Sequence, residues 1–109
     1  MSMQEPGLDR HEWESEFESL EPELRDSPAE ALPDLADLVE RMLDERGFDI
    51  GDPVARENDE PEVVREYLNA REVADRRERG DDVDPGDVAA AITGLRALYD
   101  HLLVERSAP

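Results

Sequence analysis

The chain has 109 residues, enough for one domain but too few for a second hydrophobic core. Charged residues make up 39% of it, and 31 acidic against 12 basic residues give a net charge of −19. Cysteine is absent, which excludes disulfides, thiolate nucleophiles and cysteine-ligated metal clusters. No apolar run approaches the ~18 residues of a membrane span and no signal peptide is recognised, so we expect a cytoplasmic protein without membrane association.

All 12 basic residues are arginine, and acidic residues occur in almost every ten-residue block. An acidic surface can mimic a nucleic acid or attract basic partners. It is also expected in a cytoplasm with molar salt, where the Debye length falls to ~3 Å and carboxylates keep the surface hydrated. A mimic would concentrate its acids on one face, so their even spread favours a halophile. The composition resembles that of haloarchaeal proteins in general.

The first predicted element is a helix that follows a flexible tail, residues 1–8. Asp9 is predicted to cap this helix, with Glu12 as the reciprocal capping acid. Pro22 either ends the helix near residue 21 or kinks it. The apolar positions are spaced by three and four residues: Trp13, Phe17, Leu20 and Leu24.

A second helix is predicted from the sequence Ser27-Pro28-Ala29-Glu30, which has the order of a capping serine, an N1 proline and a reciprocal glutamate. Pro33 either bends this helix or restricts the segment that begins at Ser27 to a short helical turn. Gly47 is predicted to close the helix in the left-handed conformation. Its apolar positions are Leu35, Leu38, Val39, Met42 and Leu43.

Residues 48–60 lack helical periodicity and predict an ordered loop, with a short strand as the alternative. Pro61 is predicted to open a third helix, and Gly80 to end it. Its apolar positions are Val63, Val64, Tyr67, Leu68, Val73 and Ala74.

The fourth helix is predicted to start at the capping segment Asp84–Asp87, and residues 107–109 to fray. Its apolar stripe is wider than a strict seam, which predicts a central position with neighbours on both sides. The expected fold is therefore all-α: one domain over residues 9–106, a bundle of four helices whose last two form a helical hairpin. The apolar positions are Val88, Ala91, Ile92, Leu95, Leu98, Tyr99, Leu102 and Leu103.

The segment from Arg96 to His101 resembles the Arg-x(4–6)-His motif of HEPN domains, which are all-α and often ribonucleases. The resemblance implies that His101 would do acid–base work and Arg96 would stabilise charge at a scissile phosphate, across a dimer. Ala97 stands where such motifs usually have a polar residue. Five residues of helix turn by about 500°, which puts the two side chains on different faces. The alternative is that His101 lies at the solvent edge near a helix C-terminus.

The densest basic cluster comprises Arg71, Arg76, Arg77 and Arg79. These side chains could contact phosphates. They also lie where cations complement the helix dipole, and the acids between them are spaced for helical ion pairs, which favours a structural role.

The sequence carries no pattern that predicts catalysis or a cofactor. His11 and Glu14 have metal-ligand spacing, but no second pair repeats it, so we expect a solvated acidic face. Phosphate-binding loops, zinc-protease motifs and nucleophile elbows are absent from the sequence. We therefore expect no catalytic residue, metal, cofactor or small-molecule substrate, which argues against an enzyme.

The leading functional hypothesis is a small acidic protein that binds another protein or itself, for example as a homodimer. Pairing would extend a core in which Leu, Ile, Val and Phe supply only 24 of 109 residues. One alternative is a nucleic-acid-linked module, either HEPN-like or a regulator that uses the segment Arg71–Arg79. The other is an acidic domain with a purely structural role.

Overall fold

The computed structural model of the chain describes residues 6–46 and 61–107, with side-chain burial for residues 11–46 and 62–103. It contains four helices: α1 (Pro6–Asp26), α2 (Pro28–Glu45), α3 (Pro61–Glu78) and α4 (Pro85–Ser107). The described residues contain no β strand, and the predicted all-α bundle of four helices is confirmed. The predicted loop at 48–60, the stop at Gly47 and most of the predicted tail lie outside the described residues.

Two proline residues lie inside helices rather than at their ends. α1 begins at Pro6, within the predicted tail, and continues through Pro22 to Asp26, so Asp9 is not its cap. A proline in the first turn costs no hydrogen bond, because that N–H would have no helical partner. Pro22 is exposed, so water can reach the backbone carbonyl that its missing N–H leaves free. α2 likewise continues through Pro33.

A single non-helical residue, Ser27, joins α1 to α2. Its backbone N–H donates to the Glu23 carbonyl at 2.7 Å, and its own carbonyl accepts from the N–H groups of Glu30 and Ala31. Ser27 occupies the predicted N-cap position with Pro28 after it, but its hydroxyl makes no capping hydrogen bond in the described structure. The junction is therefore held by backbone hydrogen bonds.

The turn between α3 and α4 confirms the predicted hairpin. Gly80 adopts a positive φ of 86°, and the N–H groups of Gly80 and Asp81 donate to the carbonyls of Arg77 and Arg76. This is a Schellman motif, in which the left-handed position favours glycine. Asp84 then caps α4: its Oδ1 accepts the N–H of Gly86 at 2.8 Å.

α2 supplies the most deeply buried part of the core. It contacts each of the other three helices, whereas α1 and α3 do not contact each other within the described residues. α4 also contacts all three, as its wide stripe predicted, although its contact with α1 is small. Nine of the 18 residues of α2 are buried: Ala31, Leu32, Pro33, Leu35, Ala36, Leu38, Val39, Met42 and Leu43.

Truncating the core at either α2 or α4 should destabilise the fold strongly. Leu35 and Leu95 are each 0% exposed, and we expect Leu35→Ala and Leu95→Ala each to lower the free energy of unfolding by ~2–5 kcal/mol. Glu23→Ala changes an exposed residue and should stay within about 0.5 kcal/mol. Urea unfolding at fixed KCl measures all three, and a small loss at Leu35 would contradict the central position of α2.

Candidate functional site

Arg71, one of the predicted phosphate contacts, is instead the centre of an ion-pair network between α3 and α2. Its Nη2 lies 2.8 Å from both Asp37 Oδ1 and Glu40 Oε1, and its Nε donates to the Tyr67 hydroxyl at 2.9 Å. The Tyr67 hydroxyl donates in turn to Glu40 Oε1 at 3.1 Å. Arg71 also pairs at 3.7 Å with Asp75, four residues later on α3, which is one of the acids within the basic cluster whose spacing predicted helical ion pairs. Four protein groups thus satisfy this guanidinium, which leaves it poorly placed to bind phosphate.

Burial and hydrogen bonding shift the pKa values inside this network. Burial raises the pKa of the Tyr67 phenol to about 12, although the hydrogen bond from Arg71 partly opposes the shift. Burial also lowers the pKa of the Arg71 guanidinium, but its hydrogen bonds with Asp37 and Tyr67 outweigh that effect and raise the pKa overall. The phenol therefore remains a hydrogen-bond donor well above neutral pH.

Two further arginines attach α1 to its neighbours. Arg96 on α4 makes a bidentate pair with Glu21, at 3.2 and 3.0 Å, and its guanidinium lies 5.4 Å from the ring centre of Phe17. Phe17 also stacks with Tyr99, with ring centres 4.2 Å apart. Arg41 on α2 makes a second bidentate pair with Glu16, which lowers the pKa of that carboxyl. Arg41 and Arg96 therefore make ion pairs that connect α1 to α2 and α4.

The other arginines of the predicted basic cluster, Arg76, Arg77 and Arg79, differ in their surroundings. Arg79 pairs with Asp81 at 3.3 Å, and Arg77 lines a small pocket beside Asp34 of α2. Arg76 and Arg77 are half-buried and have no ion-pair partner among the described residues. Of these three arginines, Arg77 and Arg79 thus lie near carboxylates.

A concave groove runs between α3 and α4. It has a volume of about 660 Å³, and a smaller pocket of about 240 Å³ continues it along the same two helices. Small residues of α4 form its floor, and acidic residues of α3 form one wall. We call this the α3–α4 groove; its floor is Ala90, Gly94 and Ala97, and its wall is Glu62 and Glu66.

One acidic side chain crosses the middle of this groove. The Glu66 carboxylate lies against Gly94, in the space that a β-carbon at that position would occupy. Glu66 also lines both parts of the groove. Because the residue is exposed and the contacting atoms are at the end of a flexible side chain, the carboxylate can swing away at little cost. Gly94 thus leaves a space on the groove floor that the Glu66 carboxylate occupies.

The two residues of the HEPN-like motif face different parts of the molecule. Arg96 is directed toward α1, where it pairs with Glu21, whereas His101 lines the α3–α4 groove. The structure therefore does not bring Arg96 and His101 into one pocket within a chain. The groove itself was not predicted. The signal that could have found it is the helical spacing of Ala90, Gly94 and Ala97, which lie four and three residues apart beside the apolar stripe.

Comparison of the chain with protein-family models, curated proteins and solved structures finds no match. Among the described helices, none combines the length and the apolar character needed to cross a bilayer. The described residues likewise contain no cluster of three or more carboxylate or histidine side chains arranged to hold a metal ion.

The Tyr67 phenol should make stability depend on alkaline pH. Its pKa is about 12 in the folded chain and ~10 when unfolded, so the unfolded state loses its proton first. The stabilising contribution is therefore complete below about pH 10 and is lost as pH rises toward about 12. Urea unfolding across this range should show a steeper fall for the wild type than for Tyr67→Phe. Parallel curves for the two proteins would contradict the burial of an un-ionised phenol.

Proposed function

We propose that the protein is a non-catalytic interaction module that binds another protein, itself included, through the α3–α4 groove. The observation that carries the proposal is the groove itself, which lies between two adjacent helices and has a floor of small residues on α4. Amphipathic helices commonly bind in such grooves by placing apolar side chains against the floor. Ala90 and Ala97 are exposed, so a partner would gain by covering them.

The other helix contacts of the bundle support this choice of surface. Arginine–carboxylate pairs cross between α1 and α2, between α2 and α3, and between α1 and α4. Among the described residues, no such pair crosses between α3 and α4 on the groove side. A partner can therefore cover this surface without breaking an ion pair that holds the bundle together.

We further propose that the module works in the cytoplasm of a halophile. The net charge of −19 and the use of arginine alone as the basic residue support this environment. Acidic residues are exposed on all four helices, so repulsion is spread over the whole surface. High salt screens that repulsion.

Folding should accordingly depend on salt. We expect the melting temperature and helical circular dichroism to rise between ~0.05 M and ~2 M KCl, because the Debye length shortens several-fold. A variant with four exposed glutamates replaced by glutamine should depend less on salt; the substitutions are Glu12→Gln, Glu18→Gln, Glu23→Gln and Glu72→Gln. A flat response, or equal responses of the two proteins, would contradict the repulsion argument.

The interaction itself can be tested with a matched pair of α4 variants. Ala97→Glu introduces a charge on the groove floor, whereas Ala89→Glu introduces the same charge at an exposed position of α4 that does not line the groove. Each immobilised protein is used to capture partners from a halophile extract in high KCl, and sedimentation velocity reports self-association. We expect Ala97→Glu to lose at least ~90% of the captured partner or of the dimer, because the longer side chain occupies the space above the floor and its charge must be desolvated there. Ala89→Glu should retain both.

Equal behaviour of wild type, Ala97→Glu and Ala89→Glu would show that the α3–α4 groove is not the binding surface. Circular dichroism and melting of each variant confirm that loss of binding is not loss of folding.

A further inference from the structure

The charges along the α3–α4 groove differ from those at the other helix contacts. At the other helix contacts of the described bundle, the carboxylates form ion pairs with arginine. These carboxylates are Glu16, Glu21, Asp37 and Glu40. The groove is different. Among the described residues, no arginine lines the groove, and none pairs with its carboxylates, Glu62, Glu66 and Asp87. The groove therefore combines an apolar floor with uncompensated negative charge.

The spacing of these carboxylates matches the repeat of a helix. Glu62 and Glu66 are one turn apart on α3, so their side chains lie on the same face. The Glu66 carboxylate now rests on Gly94, and a cation above the groove would draw it off the floor. A single ligand could thus pair with the carboxylate and fill the space that it leaves.

The length of the groove also fits a helix. Its lining on α4 extends from Asp87 to His101, about 21 Å at 1.5 Å per residue, which is close to four helical turns. A second copy of the chain, with 31 acidic against 12 basic residues, would place mostly carboxylates in direct contact with this acidic wall, where salt screens repulsion least. Charge complementarity favours a basic occupant instead.

We propose that the α3–α4 groove binds an amphipathic helix of a partner protein whose arginine or lysine side chains pair with Glu62 and Glu66. Apolar side chains of that helix, spaced by three and four residues, cover Ala90, Gly94 and Ala97. This inference rests on the proposed function and specifies the chemistry of its partner.

Three synthetic peptides of about four helical turns serve as probes. The first is fluorescein-labelled and has leucine along one face with arginine on both flanks. The second replaces each arginine with glutamate, and the third replaces each leucine with serine. Binding is measured by fluorescence anisotropy in about 1 M KCl, where a Debye length of about 3 Å suppresses general attraction to an acidic surface.

The protein variants separate the groove from the rest of the acidic surface. Glu62→Gln/Glu66→Gln removes the groove charges, and Glu18→Gln/Glu23→Gln removes two exposed charges on α1. We expect the arginine–leucine peptide to bind the groove variant at least ~10-fold more weakly than the wild type, and the α1 variant within about twofold. The glutamate peptide should not bind, and the serine peptide should bind at least ~10-fold more weakly.

Equal weakening by both double variants would overturn the inference, as would equal binding of the serine peptide. A wild-type dimer abolished by Ala97→Glu would also overturn it, since the occupant would then be a second copy. If Ala97→Glu abolishes partner binding while Glu62→Gln/Glu66→Gln does not, the proposal of a basic helix is wrong, and the proposal that the groove binds a partner stands. If Ala97→Glu loses nothing, both fail.

Discussion

Burial of one face of α2 against three other helices is the contact on which the bundle depends. Half of the residues of this helix are inaccessible to water, so only the other half can place side chains at the surface. Those that do include Asp37, Glu40 and Arg41, and these are the residues that α1 and α3 bind with ion pairs. The apolar face thus brings the helices together, and the remaining polar edge sets how the two flanking helices lie beside it.

The arginine pairs suit a chain with so many carboxylates. A guanidinium can bind a carboxylate through two parallel hydrogen bonds, as Arg96 does with Glu21, or serve several acceptors at once, as Arg71 does. A lysine ammonium at either position would lack the planar fork that makes these contacts directional. Exposed pairs contribute little stability alone, but Arg71 is 17% exposed and shared among two helices, so its geometry is better fixed than that of a surface pair.

The sequence predicted the core better than the ends of the helices or the surface. All eight apolar positions assigned to α4 are buried. Apolar residues that repeat every 3.6 residues lie on one face of a helix, so their spacing predicts which face is buried. The expected effect of Pro22 was uncertain, since the cost of a helical proline depends on whether water reaches the freed carbonyl. The partners of Arg71 on α2 are more than 30 residues away in sequence. Spacing within one helix can therefore predict only its contact with Asp75 on α3. The α3–α4 groove depends on how two helices pack, which the sequence does not state. The sequence shows only that small side chains are present on α4 where the groove can form.

The one-residue junction at Ser27 has a consequence for the order of folding. Because α1 and α2 are joined without a loop, the residues that meet across the corner are close in sequence, and little chain entropy is lost when they come together. The hairpin of α3 and α4 is equally local, across the short turn at Gly80. Contacts between the two halves must close a much longer stretch of chain. We therefore expect two helical pairs to form early, with their docking through α2 as the slower step.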